Sequence, residues 1–507
     1  MLLCLACSMC SCSTTTEAPP DGGTTMRDAS GPDAGLPRTR MPRGRLSARG
    51  TEIVDADGTP VALRGVNLGA WIFVETWMDQ VDYAPHGRLV AEAERVEPSI
   101  ASAVRDAVRE AGRLDGDVDA SRAAYFDRVG AALPAGTDMD AFTRVRDAAL
   151  ACPDVADDSD APLRAALETR FGVEGRDQVL DALADAWITE DDVREIAARG
   201  ANLVRIPTGY RAWLGGSDSA EITLPLTLRE RTVQRVTQLL DWCDAHGLRA
   251  VLDLQESIGG HNDYSGPARL YTDAAAQGAT IALWVALSDL YRERDTIAAY
   301  SLLAEPYSAP DIATMVSMYD RLHDAIRDND DDHLLIVHDG FFGLQMLPSP
   351  SEQGWEGVVY STHLFEWGAP TLLAHQAVVL NYADTWQRSQ ARHGNPYFVG
   401  SFSTFRDEPF AYDAFDFYAR TFADHGWSWS MWAWKRIDDP LDQQLFGERT
   451  SWGVMRDFAR AEDAERLDVC HDDLETLVTR AAALRTTALT PNRELDARFR
   501  AAVRMEP

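Results

Sequence analysis

Glu305 closes the stretch AYSLLAEP (299–306), an apolar run that ends in a carboxylate followed by proline. A charged group at the end of a buried run is costly unless it is paired or functional, so Glu305 is the first candidate for proton transfer. Other apolar runs end in groups of matching use: Asn67, Arg205, Gln255 and Glu256, His363 and Glu366, Ser401, and Trp432 with Trp434. Carboxylates, an arginine, a histidine and indoles around one opening suit a sugar. Hydroxyls need directional polar partners, and the apolar face of a pyranose lies on an aromatic ring. Taken singly, each has a structural alternative: His363 as a core histidine, either tryptophan as core packing, Arg205 as counter-charge to a buried acid.

These groups meet only if the runs that carry them lie side by side. Eight runs read as strands, over 61–68, 200–206, 248–254, 298–303, 333–338, 357–363, 396–400 and 427–434. Intervals such as 228–246 and 312–328 carry apolar residues at helical spacing, and repeated strand–helix units imply parallel strands. The pattern predicts an α/β fold, a closed (β/α)8 barrel whose chemistry sits at the C-terminal strand ends. The competing arrangement, an open doubly wound sheet, wants a glycine-rich phosphate turn after its first strand, and none stands there. The barrel domain is read over 46–460. It opens on LSARGTEIVDADGTPVALRGVNLG, which alternates about Asp57-Gly58 as a two-residue hairpin does. Residues 88–163, rich in Ala, Asp and Arg, read as a helical insertion between the first and second strands, over the barrel mouth. It serves as a lid, a recognition surface or a solvated decoration. A helical segment, 461–507, follows and packs outside the barrel.

The chain has 507 residues, 45% of them apolar, enough for a large core. Its formal net charge of −32 repels phosphate backbones and anionic lipid, which argues against a nucleic-acid partner. All its basic residues are arginines except Lys435, which draws attention to the neighbouring tryptophans. The opening MLLCLACSMCSCSTTTEAPPDGG runs from a short apolar stretch to Cys7 and then into a Ser/Thr/Pro/Gly-rich linker. Residues 1–45 therefore read as a lipoprotein-type signal and linker with Cys7 as the lipidated residue. That predicts an exported protein of the cell envelope, touching membrane only through the lipid; the alternative is an ordinary terminal segment. Four of seven cysteines lie in the first twelve residues, leaving Cys152, Cys243 and Cys470 too far apart for a zinc pattern or a disulfide framework. One bridge among the three suits an exported protein, but the sequence does not choose the pair.

Six segments together carry a family resemblance: LRGVNLGAWIFVETWM (63–78), WITEDDVREIAARGANLVRIPTGY (187–210), AYSLLAEP (299–306), STHLFEW (361–367), YFVGSFSTF (397–405) and GWSWSMWAWK (426–435). In order, they resemble the strand-end motifs of glycoside hydrolase family 5, nearest its exo-β-1,3-glucanase and cellulase-like branches. The resemblance implies retaining hydrolysis of β-glycosides, with one carboxyl as acid/base and a second as nucleophile about 5 Å away. It puts the acid/base on Glu305, the family arginine on Arg205 and the sugar-contacting histidine on His363. The stacking indole falls on Trp434 or Trp432, and the lysine after it on Lys435. No metal and no organic cofactor is expected, since this chemistry uses carboxylates alone and no ligand cluster with metal spacing stands in the chain.

Four positions depart from the motif. The nucleophile's Gly-Glu-Phe is Gly400-Ser401-Phe402 here, and a serine hydroxyl is neutral at pH 7 and lacks an evident activating base. The asparagine before the acid/base is Ala304, the tyrosine two positions after the motif histidine is Phe365, and the histidine closing the third strand is Gln255. Removing a catalytic nucleophile costs on the order of 10⁶ in rate, roughly 8 kcal/mol of barrier. The expectation is a β-glycan-directed barrel with a degenerate active site. Three readings follow: an enzyme rerouted to inverting attack with Glu256 or Glu366 as base, a non-catalytic sugar binder, or an interaction protein working through the insertion.

Overall fold

The computed structural model describes residues 42–505 except 80, 115–120, 156–158, 219, 264–266, 330, 367, 405–408, 448–451 and 460–464. Cys7 and the signal-like segment lie outside the described residues. Eight strands, β1 (Arg64–Asn67), β2 (Leu203–Gly209), β3 (Arg249–Glu256), β4 (Ile297–Ser301), β5 (Leu334–His338), β6 (Val358–Phe365), β7 (Tyr397–Ser403) and β8 (Ser428–Met431), close into a barrel. They follow chain order, every pairing is parallel, and β8 lies beside β1. This is the (β/α)8 barrel the alternation of runs predicts. Its strands are apolar runs because helices cover the outer face while side chains fill the inside. All eight residues of β3 are buried, for example. Register then sets the mouth: Asn67 pairs with Arg205, and His363 with Ser401.

Between β1 and β2 the insertion forms α1 (Pro85–Val96), α2 (Ala101–Ala111), α3 (Arg122–Ala131) and α4 (Met139–Ala151). Proline at the start of α1, and Ser121 and Asp138 accepting from free backbone amides at the starts of α3 and α4, mark where these helices begin. Their apolar faces, with Leu89, Val104, Phe126, Phe142 and Val145, close a core of their own that takes in Leu445 from the segment after β8. The longer α5 (Ala161–Trp187) and α6 (Glu190–Ala198) pack on the barrel core instead.

Three local expectations change. The N-terminal hairpin pairs Ser47–Arg49 with Glu52–Val54 around Gly50, which has φ +59°; the Asp57-Gly58 turn closes only a single bridge, Val54 to Pro60. The C-terminal segment is not helical throughout: between helices Leu474–Ala483 and Arg493–Ala502, strand Leu489–Pro491 pairs with Met455–Phe458. Of the three late cysteines, Cys152 and Cys470 form a disulfide across 318 residues, and Cys243 is a buried thiol. Such a bridge contributes about 2–4 kcal/mol by restricting the unfolded chain. It fastens the end of α4 to the segment before Leu474–Ala483.

Candidate active site

Glu305 sits one turn past β4 with φ +51°, a left-handed backbone that a non-glycine residue keeps only when its surroundings impose it. Its carboxylate is 8% exposed and hydrogen-bonded through Oε1 to His363 Nδ1 on β6. His363 reaches it past Gly400, where a Cβ would stand 2.8 Å from His363 Nε2. Glycine is therefore required by packing at that point of β7. Burial holds His363 below the ordinary imidazole range although Glu305 pulls the other way, so the ring is neutral at pH 7. His338, ending β5, stands edge to face with His363 at 4.6 Å. Its Nδ1 accepts from the Gly340 amide at 2.9 Å, which leaves Nε2 as the N–H. That buried N–H has no hydrogen-bond partner among the described residues.

The β7–β1 side of the mouth is built from neutral groups. Ser401 is 1% exposed, with Oγ 3.5 Å from Asn67 Nδ2. The same Asn67 nitrogen lies 3.1 Å from the Met431 carbonyl and 3.3 Å from those of Gly400 and Ser430. Arg205 fixes the amide by donating to Asn67 Oδ1 at 2.7 Å, and pairs with buried Asp253 at 2.8 Å. Gln255 accepts from the same guanidinium at 3.4 Å. Ala304 presents no side-chain donor; its carbonyl accepts from His261 Nε2 at 2.5 Å, and burial lowers that histidine to about 4.

Aromatic side chains cluster beside the β6 and β8 strand ends. Trp432 follows β8 and lies over Gly69, where any Cβ would meet its ring at 3.0 Å. Trp77 stands 6.5 Å from Trp432 and 5.3 Å from Trp452, and Phe365 stacks on Trp452 at 6.3 Å. The Arg436 guanidinium lies over both Trp77 and Trp452.

The expected roles of Trp434, Lys435 and Glu256 need correction. Trp434 is fully buried and donates to Asp192 at 2.7 Å; Lys435 pairs with the same carboxylate at 3.0 Å and donates to the Trp187 carbonyl. Both polar ends are spent tying the segment after β8 to α5 and α6, and neither is free for a sugar. Glu256 is 2% exposed and paired with Arg211, so it is not a rim carboxylate facing water. Glu366 is half-buried, and burial raises its carboxyl above the usual range. Sequence reasoning passed over His338, Trp77, Trp452 and Asp253. His338 ends a recognised strand run and Asp253 interrupts one, so both carried a signal, and Trp77 lies within a quoted motif. Trp452 stands in an irregular segment that carried none.

A family model described as cellulase, glycosyl hydrolase family 5, matches residues 168–437, more than half the chain and the stretch that carries β2 to β8. The chain belongs to glycosyl hydrolase family 5. Two curated relatives are similar to it. A β-xylosidase of Phanerodontia chrysosporium is 28% identical over 208 residues, 40% of this chain and 42% of that protein. Glucan 1,3-beta-glucosidase 2 of Saccharomyces cerevisiae is 29% identical over 187 residues, 33% of each. The chain thus spans less than half the length of these relatives. Among solved structures, endoglucanase Cel5A of Thermotoga maritima aligns at 18% identity and TM-score 0.42, covering 53% of this chain and 84% of that one. An endogalactoceramidase aligns at 16% identity and TM-score 0.49, covering 87% and 84%.

Proposed function

We propose that this family 5 barrel recognises a β-linked glucan and does not carry out retaining hydrolysis. The observation that supports the reading is Ser401 Oγ, 3.5 Å from Asn67 Nδ2, at the strand end where the family resemblance implies a second carboxylate. Glu305 would bind or protonate a sugar oxygen, with His363 positioning it. The spare N–H of His338 suits a hydroxyl, and Trp432 with Trp77 and Phe365 offers apolar faces. That several relatives are named glucan 1,3-β-glucosidases favours a β-1,3-glucan as ligand. Rerouted inverting hydrolysis loses Glu256 as its base, because Arg211 holds it, and keeps only Glu366. An envelope address through Cys7 accords with the Cys152–Cys470 bridge, since disulfides persist in oxidising compartments. Among the described residues no helix is long and apolar enough to cross a membrane.

The test is reducing-sugar release from β-1,3-, β-1,4- and mixed-linkage glucans, beside a Glu305→Ala control. No release above that control is expected. Release that vanishes in the control would show a working glycosidase and overturn the proposal.

A further inference from the structure

Four side chains from distant stretches meet beside the insertion: Glu92 of α1, Cys152 at the end of α4, and the adjacent Cys470 and His471. One ligand atom from each lies within 4.8 Å of all the others. This corrects the expectation that the chain holds no metal-like cluster; spacing along the sequence hid it, because folding brings the parts together. Two sulfurs, an imidazole and a carboxylate are the ligand types of Zn²⁺. Tetrahedral bonds of about 2.0–2.3 Å set ligand atoms roughly 3.3–3.8 Å apart. Cys152 Sγ stands 3.7 Å from both Glu92 Oε1 and His471 Nε2.

The surroundings hold these groups in place. The other oxygen of Glu92 accepts from Arg95 Nε at 2.9 Å, and Asp468 Oδ1 accepts from the Cys470 and His471 amides at 3.0 and 3.2 Å. Two thiolates and a carboxylate around a divalent ion leave one net negative charge, next to Arg95 and to Arg88, which is also shared with Asp82 and Asp468. The His471 side chain is 31% exposed and gives an ion a route from solvent.

We propose that these four groups form a redox-gated zinc site, closed as a disulfide when oxidised and binding Zn²⁺ when reduced. A dithiol reductant opens the bridge by exchange: it becomes a disulfide itself, and its two electrons and two protons leave Cys152 and Cys470 as thiols. Zn²⁺ then displaces both thiol protons to water, while His471 Nε2 exchanges its hydrogen bond with Glu92 for the metal. In either state the insertion stays fastened to the C-terminal segment.

The experiment uses the full chain with Cys4, Cys7, Cys10 and Cys12 changed to serine, so that the N-terminal thiols cannot bind metal. The protein is reduced with dithiothreitol, desalted without oxygen and titrated with Co²⁺ and then Zn²⁺. One Co²⁺ per chain is expected, with thiolate charge-transfer absorption that Zn²⁺ abolishes, and none in the oxidised protein. His471→Ala and Glu92→Gln should each weaken binding at least tenfold, and His471→Ala should leave the oxidised protein's Tm close to that of its parent. Zn²⁺ should raise the Tm of the reduced chain. No uptake by reduced protein, uptake indifferent to both variants, or loss of fold on reduction that Zn²⁺ does not reverse would each overturn the site.

Discussion

The two sides of the barrel mouth differ in what they have kept. On the β4–β6 side, Glu305, His363 and His338 form one connected group, with a strained backbone at the carboxylate and a glycine cleared for the imidazole. On the β7–β1 side, hydroxyls, carbonyls and the Asn67 amide satisfy one another. The first side holds a buried carboxylate in place; the second is a neutral hydrogen-bonded surface. One side can therefore hold an ordered carboxylate while the other presents neutral groups, because each is positioned by its own strands.

Four experiments bear on that contrast. The largest effect belongs to Ser401→Glu. Supplying the second carboxylate should raise hydrolysis of aryl β-glucosides by at least about 10⁴-fold, ~5.5 kcal/mol of barrier. A folded variant with no gain would put the lesion at Ala304 and Gln255 instead. Next, Arg205→Ala should lower stability by about 3–5 kcal/mol in denaturant titrations, because Asp253 is left buried without its cation. A loss under 1 kcal/mol would mean the guanidinium does not hold the two sides in register.

The third concerns Asp339, which follows His338 on the acid side and is pushed up to about 7 by burial. A raised carboxyl contributes nothing below about pH 4, where both states are protonated, and costs progressively more stability as pH rises from about 4 to 7, above which the cost is constant. Asp339→Asn should therefore gain on the parent between pH 4 and 7, by up to about 4 kcal/mol in paired thermal melts. Parallel pH profiles would contradict it. The smallest effect is on binding: Trp432→Ala should weaken a glucan oligosaccharide about tenfold, ~1.4 kcal/mol, by calorimetry. An unchanged affinity would move the ring out of the sugar site.

The barrel was legible because parallel strands covered on both faces read as continuous apolar runs, and Glu305, Arg205 and His363 stand at or near their ends. Trp434 and Lys435 misled for the same reason: position near a strand end says nothing of which way the chain turns after Met431, and here it turns both side chains onto Asp192. Glu256 has the type and place of a rim acid, yet Arg211, 45 residues earlier, claims it. Partners so distant, like Cys152 with Cys470, leave no trace in local pattern. Ser401 was legible as a loss, whereas Asn67 lying against it emerges only from the register of β1, β7 and β8.

The central claim is binding without cleavage. Its most direct test titrates a β-1,3-linked glucan oligosaccharide into the unaltered protein by calorimetry and then sizes the recovered ligand by mass spectrometry. Saturable binding with the ligand returned at full length is the predicted result. A shortened ligand, with shortening abolished by Glu305→Ala, or no binding by the folded protein, would contradict the account.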